Sequence, residues 1–272
     1  MTVTTMRRLA AVLALVTLCA TPFAVAAETA RQILDRRKAL DDGPRHWTDR
    51  QEHMKLTIVD RRGSERLRDL IVFERREPGD EKKSILFFES PAEVKGTGFL
   101  AFTHKGAPAD QWLYLPALKR TRQITSQARS ESFVGTDLSY QDLDIIQEMP
   151  SWTEDDAASS LRSEETIDGV VCHVIELAPK REDIGYKKIV LWLGKDDLMP
   201  RKLEFYDAEP EAAKRLLQHD IKVVDGIPVA HHVDVEAPRK GSKTTIESSE
   251  VRFNQNLEPE LFTQRALERG ER

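Results

Sequence analysis

His53-Met54-Lys55-Leu56-Thr57-Ile58-Val59, run into Asp60-Arg61-Arg62-Gly63, decides the fold class of this chain. Met54, Leu56 and Ile58 alternate with His53, Lys55 and Thr57, the period-two mark of a strand with one apolar and one wet face. The charged run ending in glycine is a turn. Outward from there the pattern repeats at residues 67–75, 84–89, 99–103 and 111–115, the last stopped by Pro116. It resumes at 170–177, 188–193, 202–206, 216–224, 229–235 and 244–253, with Asp168-Gly169 and Asp225-Gly226 as turns. Strands flanked by charge and joined by tight turns predict one meandering antiparallel sheet.

Helices are scarce. Thr29 caps a short helix running to about Leu40, which Gly43-Pro44 stops. Residues 126–147 carry Phe133, Leu138, Tyr140, Leu143 and Ile146 near helical spacing, while Gly135 and Asp137 limit this to a short helix or ordered loop. Pro259 and Thr263 open a short amphipathic C-terminal turn. These pieces are too few to cover the apolar face of so many strands. The mainly β, antiparallel sheet is therefore expected to curl around these few short helices and leave an apolar cavity inside. The few aromatic residues sit in its central strands, so the expected cavity lining is Phe87, Phe99, Trp112, Leu113, Phe133 and Trp192.

Residues 1–27 read as a cleaved Sec-type signal peptide. Arg7 and Arg8 precede an apolar run from Leu9 to Ala20, and Ala24 and Ala26 fit the positions before a cut at Ala26/Ala27. The run is shorter than the ~20 residues a bilayer span needs. Cys19 follows Leu18 rather than the small residue a lipidation signal wants. These 27 residues hold two of the chain's 41 Lys and Arg and none of its 46 Asp and Glu, so cleavage takes the net charge from −5 to −7. An acidic chain without a basic domain excludes nucleic acid as partner. Residues 28–272 are expected to form a single domain, monomeric and periplasmic, with transient membrane contact. Its one cysteine, Cys172, reads as a buried inert thiol.

Catalytic motifs are missing. Gly96-Thr97-Gly98 lacks the further glycine and the lysine of a phosphate loop and reads as a bend, and no Gly-x-Ser-x-Gly occurs. His231-His232 and Cys172-His173 are strand neighbours whose side chains point to opposite faces, so neither pair chelates a metal or forms a nucleophile–base couple. Asp137, Asp142, Asp144 and Glu148 do not follow calcium-loop spacing and read as solvated, helix-capping acids. No catalytic residue, metal or cofactor is expected, and the chain is not expected to be an enzyme.

Lys95-Gly96-Thr97-Gly98-Phe99-Leu100, Trp112-Leu113-Tyr114-Leu115-Pro116, Lys119-Arg120-Thr121-Arg122, Ser132-Phe133 and Gly135-Thr136-Asp137-Leu138-Ser139-Tyr140-Gln141-Asp142-Leu143 together resemble the outer membrane lipoprotein-sorting protein family, a LolA-like group. Leu261-Phe262-Thr263 and Leu267-Glu268-Arg269 are similar to that family's ending. The resemblance implies a LolA/LolB-like incomplete barrel of about eleven strands closed by short helices. It also implies a carrier of lipoprotein acyl chains or another lipid, served by an inner-membrane exporter and an outer-membrane acceptor. A second reading is an RseB-like envelope sensor of lipid or peptide that regulates a membrane partner, although such chains carry a further C-terminal domain.

Overall fold

The computed structural model describes residues 28–270, so the expected signal peptide lies outside the described residues. The order is Ala30–Asp42 (α1), Asp49–Val59 (β1), Glu65–Glu77 (β2), Glu81–Ser90 (β3), Gly98–His104 (β4), Ala107–Leu115 (β5) and Arg120–Gln123 (β6). Tyr140–Glu148 (α2) follows, then Ala157–Leu161 (β7), Glu165–Ile167 (β8), Val170–Pro179 (β9) and Lys188–Gly194 (β10). The chain continues through Pro200–Tyr206 (β11), Lys214–Val224 (β12), Ile227–Ala237 (β13) and Ser242–Phe253 (β14) to Gln264–Arg269 (α3). All the strands join one antiparallel sheet in the order β6-β5-β4-β3-β2-β1-β14-β13-β12-β11-β10-β9-β7, with β8 beside β9. The sheet is curved and does not close.

It has 14 strands rather than about eleven. The additional ones are β6, β7 and β8, which are short, largely exposed and polar (Arg-Thr-Arg-Gln, Ala-Ala-Ser-Ser-Leu, Glu-Thr-Ile), so no apolar alternation marks them.

Register sorts the side chains. Leu70, Val72, Leu86, Phe99 and Leu113 face one side, whereas Ile71, Phe73, Ile85, Phe87 and Leu100 face the other. On the far half of the sheet Leu177, Leu191, Leu203, Leu216 and Val235 continue the first side. A bulge in β14, opposite Gln51–His53, shifts its register against β1. At Asp220 in β12 and Glu250 in β14 the backbone enters the left-handed region (φ 49° and 50°). In β14 the inward set consequently changes from Thr244, Ile246 and Ser248 to Val251 and Phe253.

Helices α1 and α2 lie on the inner side, where Ala30, Ile33 and Ile145 pack against Ile175, Leu191 and Leu216. Each begins with a reciprocal capping box, Thr29 with Gln32 and Ser139 with Asp142. The C-terminal α3 does otherwise. Its Leu267, with Phe262, packs on Phe87 and Leu100, so it covers the outer face instead of the cavity side.

Candidate functional site

The inner side is not filled. Between α1, α2 and β1–β5 and β12–β14 lies a cavity of about 400 Å³, within the range of small-ligand sites. Its apolar wall comprises Met54, Leu56, Leu70, Val72, Leu86 and Phe99 from β1–β4, and Leu216, Val233, Val235 and Ile246 from β12–β14. Leu143 and Ile146 of α2 and Phe133 of the preceding loop close it over. Phe133 is fixed by edge contacts to Phe99 at 5.1 Å and Tyr140 at 5.7 Å between ring centroids, with Phe88 at 6.1 Å.

The six residues expected to line the cavity separate by face. Phe99 and Phe133 line it. Leu113 points to the same side and packs behind them in the same cluster. Phe87 lies on the outer face under Phe262 and Leu267. Trp112 is also outward, 5.1 Å from Phe102. Trp192 is outward too, with Lys202 Nζ 4.1 Å from its ring and its Nε1 donating to Glu165 at 2.9 Å. The physical reason is the pleat: adjacent Trp112 and Leu113 cannot share a face. The aromatics on the outer side serve the seat of α3 and side-chain ladders instead. Sequence reasoning missed Met54, Leu56, Leu70, Val72, Val235 and Ile246, although their alternation in β1, β2, β13 and β14 was a usable signal.

The acids of the 137–148 segment are buried rather than solvated: Asp137 is 7 % exposed, Asp142 0 %, Asp144 3 % and Glu148 3 %. Each has specific partners. Asp142 accepts from Ser139 N and Tyr186 Oη, both at 2.5 Å, and pairs with Lys214. Asp144 pairs with Arg129 and accepts from Ala109 N at 3.1 Å; Glu148 pairs with Arg181 at 2.5 Å and accepts from Gly106 N at 2.7 Å. Asp137 accepts from Thr244 Oγ1 at 2.8 Å and from Ser242. Burial pushes the Asp144 and Glu148 carboxyls up and their arginine partners pull them back. The lid over the cavity is thereby pinned by three buried ion pairs, at Asp142, Asp144 and Glu148.

One end of the cavity is polar. Arg37, Arg50, Glu74 and Gln147 belong to its wall. Arg50 bridges Glu52 at 2.6 Å and Glu74 at 3.6 Å. Lys82 donates to Gln147 O at 2.7 Å, and burial pushes its ammonium down to about 8. Burial also pushes the Glu52 carboxyl up. Elsewhere, Cys172 is a fully buried free thiol, raised by burial. His231 Nδ1 is 2.9 Å from Ser248 O, while its neighbour His232 sits against His219, 5.6 Å between ring centroids.

A family model described as an uncharacterized protein matches residues 80–269. Among solved structures, an outer membrane lipoprotein-sorting protein domain from Vibrio parahaemolyticus is 31% identical, with a TM-score of 0.79 over 88% of this chain and 98% of that one. A DUF1329 family protein from Desulfovibrio piger is 26% identical, with a TM-score of 0.80 over 88% of this chain and 100% of its own. A LolA superfamily protein from Nitrosomonas europaea shares the fold at 21% identity and a TM-score of 0.65, over 88% of this chain and 100% of that chain. Comparison with curated proteins finds no match.

Proposed function

Because the chain belongs to the outer membrane lipoprotein-sorting protein family, LolA-like in fold, we propose that it is a periplasmic carrier. It holds the acyl chains of a lipoprotein, or another lipid, in the inner cavity for transfer towards the outer membrane. Residues 1–27 direct its export, and residues 28–272 act as one binding domain that performs no catalysis. The observation that carries this reading is the unfilled, mostly apolar cavity beneath a pinned lid.

The energetics suit a carrier. Each acyl CH₂ removed from water contributes about 0.8 kcal/mol, so part of one chain supplies useful affinity without any reactive group. Release is then the costly step. A donor exporter in the inner membrane and an acceptor at the outer membrane resolve it by exchanging one apolar environment for another.

Native mass spectrometry of protein recovered from the periplasm tests the proposal. The expected spectrum shows a mass increment that lipid extraction removes and a palmitoylated peptide restores. A protein that leaves the envelope at its bare mass and takes up neither palmitoylated peptide nor free lipid refutes it. Displacement of the native increment by the peptide distinguishes lipoprotein cargo from free lipid.

A further inference from the structure

The cavity is stratified along the strands. The β-ladder places Phe253, Arg50, Glu74, Ser84, Ala101 and Gln111 in one cross-strand row on β14 and β1–β5. Beyond it, away from the apolar wall, comes the row Arg76, Lys82 and Thr103. In the other direction the rows turn apolar apart from one buried acid: Glu52 with Val72, Leu86, Phe99 and Leu113, then Met54, Leu70 and Phe88. Charge therefore collects at one end, and the rest is mostly hydrocarbon with Thr136, Gln218, Thr244 and Ser248 set among it, over about 20 Å of strand from Arg50 to Leu56.

That polar end holds more positive than negative charge. Arg37, Arg45, Arg50, Arg76 and Lys82 meet there, and the buried acids among them are Glu52 and Glu74. Asp41 stands 3.7 Å from Arg37, and the half-exposed Asp42 stands 3.9 Å from Arg76. Asp144, also on the wall, is engaged by Arg129. Several donors are spent on backbone carbonyls: Arg45 on Asp197 O at 2.7 Å, Arg76 on Asp41 O at 3.0 Å and Lys82 on Gln147 O. Three buried donor atoms, Arg45 Nη1, Arg50 Nε and Arg76 Nε, have no hydrogen-bond partner; the buried acceptors in the same condition are Glu52 Oε2 in the cluster and Gln111 Oε1 and Asp144 Oδ1 on the wall. A buried guanidinium N–H without an acceptor is costly, and an anion with several acceptor oxygens relieves it.

Resting on the carrier reading of the same cavity, we propose that the cargo is an amphiphile with an anionic, oxygen-bearing head, a carboxylate or phosphate. The head sits against Arg37 and Arg50, and the acyl chain runs along Leu70, Val72 and Phe99. Arg50 is the anchor, because the ladder fixes it between the polar and apolar rows. Arg37 is the residue with the freer charge.

Displacement of a neutral apolar dye from the exported protein at pH 7.5 tests this with a matched series of sixteen-carbon ligands (about one chain length throughout): palmitate, hexadecyl phosphate, hexadecanol and hexadecyltrimethylammonium. Palmitate and hexadecyl phosphate are expected to displace the dye at least about tenfold more effectively than hexadecanol, the low end for a charge-assisted hydrogen bond. The ammonium is expected to be weakest. In Arg37→Gln and Arg50→Gln the acid-to-alcohol ratio falls below about threefold. Arg50→Gln unpairs two carboxylates and endangers the fold, so Arg37→Gln and the ligand series on the unaltered protein carry the test. Equal displacement by palmitate and hexadecanol overturns the head-group site but leaves the carrier reading standing. Failure of the dye and every ligand to bind overturns both.

Discussion

Replacing Lys214 by methionine tests whether buried charge holds the lid over the cavity. The Asp142 side chain is 0 % exposed and that of Lys214 12 %, and Asp142 receives Ser139 N and Tyr186 Oη besides the lysine. Removing the cation leaves an ionised carboxylate in the interior, a change that costs about 3–5 kcal/mol. Burial and the Asp142 carboxylate hold the Tyr186 phenol above its ordinary range, so it stays a neutral hydrogen-bond donor to Asp142 and does not replace the cation. With a urea dependence of about 3 kcal/mol per molar, the upper end for domains, the unfolding midpoint should fall by about 1–2 M. The double variant Asp142→Asn, Lys214→Met removes both charges and should recover more than half of the loss, because the penalty belongs to the unpaired member. Circular dichroism against urea, with matched slopes, is the assay. A midpoint drop below about 0.3 M, or a double variant no better than the single, would show that the Asp142–Lys214 pair does not hold the α2 lid.

Two further predictions concern opposite faces of the sheet. Lys82 has its folded-state pKa lowered from 10.5 to about 8 by burial. The cost of keeping it charged is therefore fully present below pH 8 and is relieved as pH rises towards 10.5. Relative to Lys82→Met, the wild type should gain roughly 2–3 kcal/mol across that window; a flat difference in denaturation midpoints contradicts the assignment. On the outer face, a Cβ at Gly98 would lie 2.6 Å from Leu267 Cδ1 and 3.2 Å from the Phe87 ring. Gly98→Ala should thus lever α3 from its seat and cost about 1–3 kcal/mol, while ligand affinity stays within twofold. A loss of binding equal to the loss of stability would connect α3 to the cavity after all.

Much of this architecture was legible in residue patterns. Alternation at 53–58 and 244–253 marks β1 and β14 because each has one wet and one apolar face. Scarcity of helix foretells an underfilled inner side. The identity of that side was not legible on β3–β5, where both faces are apolar: Phe88 and Phe99 belong to the cavity side, Phe87 and Trp112 to the seat of α3. Choosing between them needs the position of Leu267, which is remote in sequence. The bulge at Glu250 shifts the side-chain phase within β14, so simple alternation fails to carry the inner face through that strand. The buried acids of α2 were misread for a related reason. Their partners, Lys214, Arg129, Arg181 and Thr244, come from separate parts of the chain, and composition alone makes a cluster of acids look wet.

The most direct test of the central claim places a quencher inside the protein. The chain has four tryptophans: Trp47 is on the cavity wall, Trp152 lies in the core beside it, and Trp112 and Trp192 are on the outer face. Single-tryptophan variants, with phenylalanine at the other positions, are titrated with acyl chains brominated along their length. Strong quenching of Trp47 with Trp112 and Trp192 left at full intensity is the predicted result. Bound ligand that quenches Trp112 or Trp192 as strongly as Trp47 would put the lipid on the wrong side of the sheet and contradict the account.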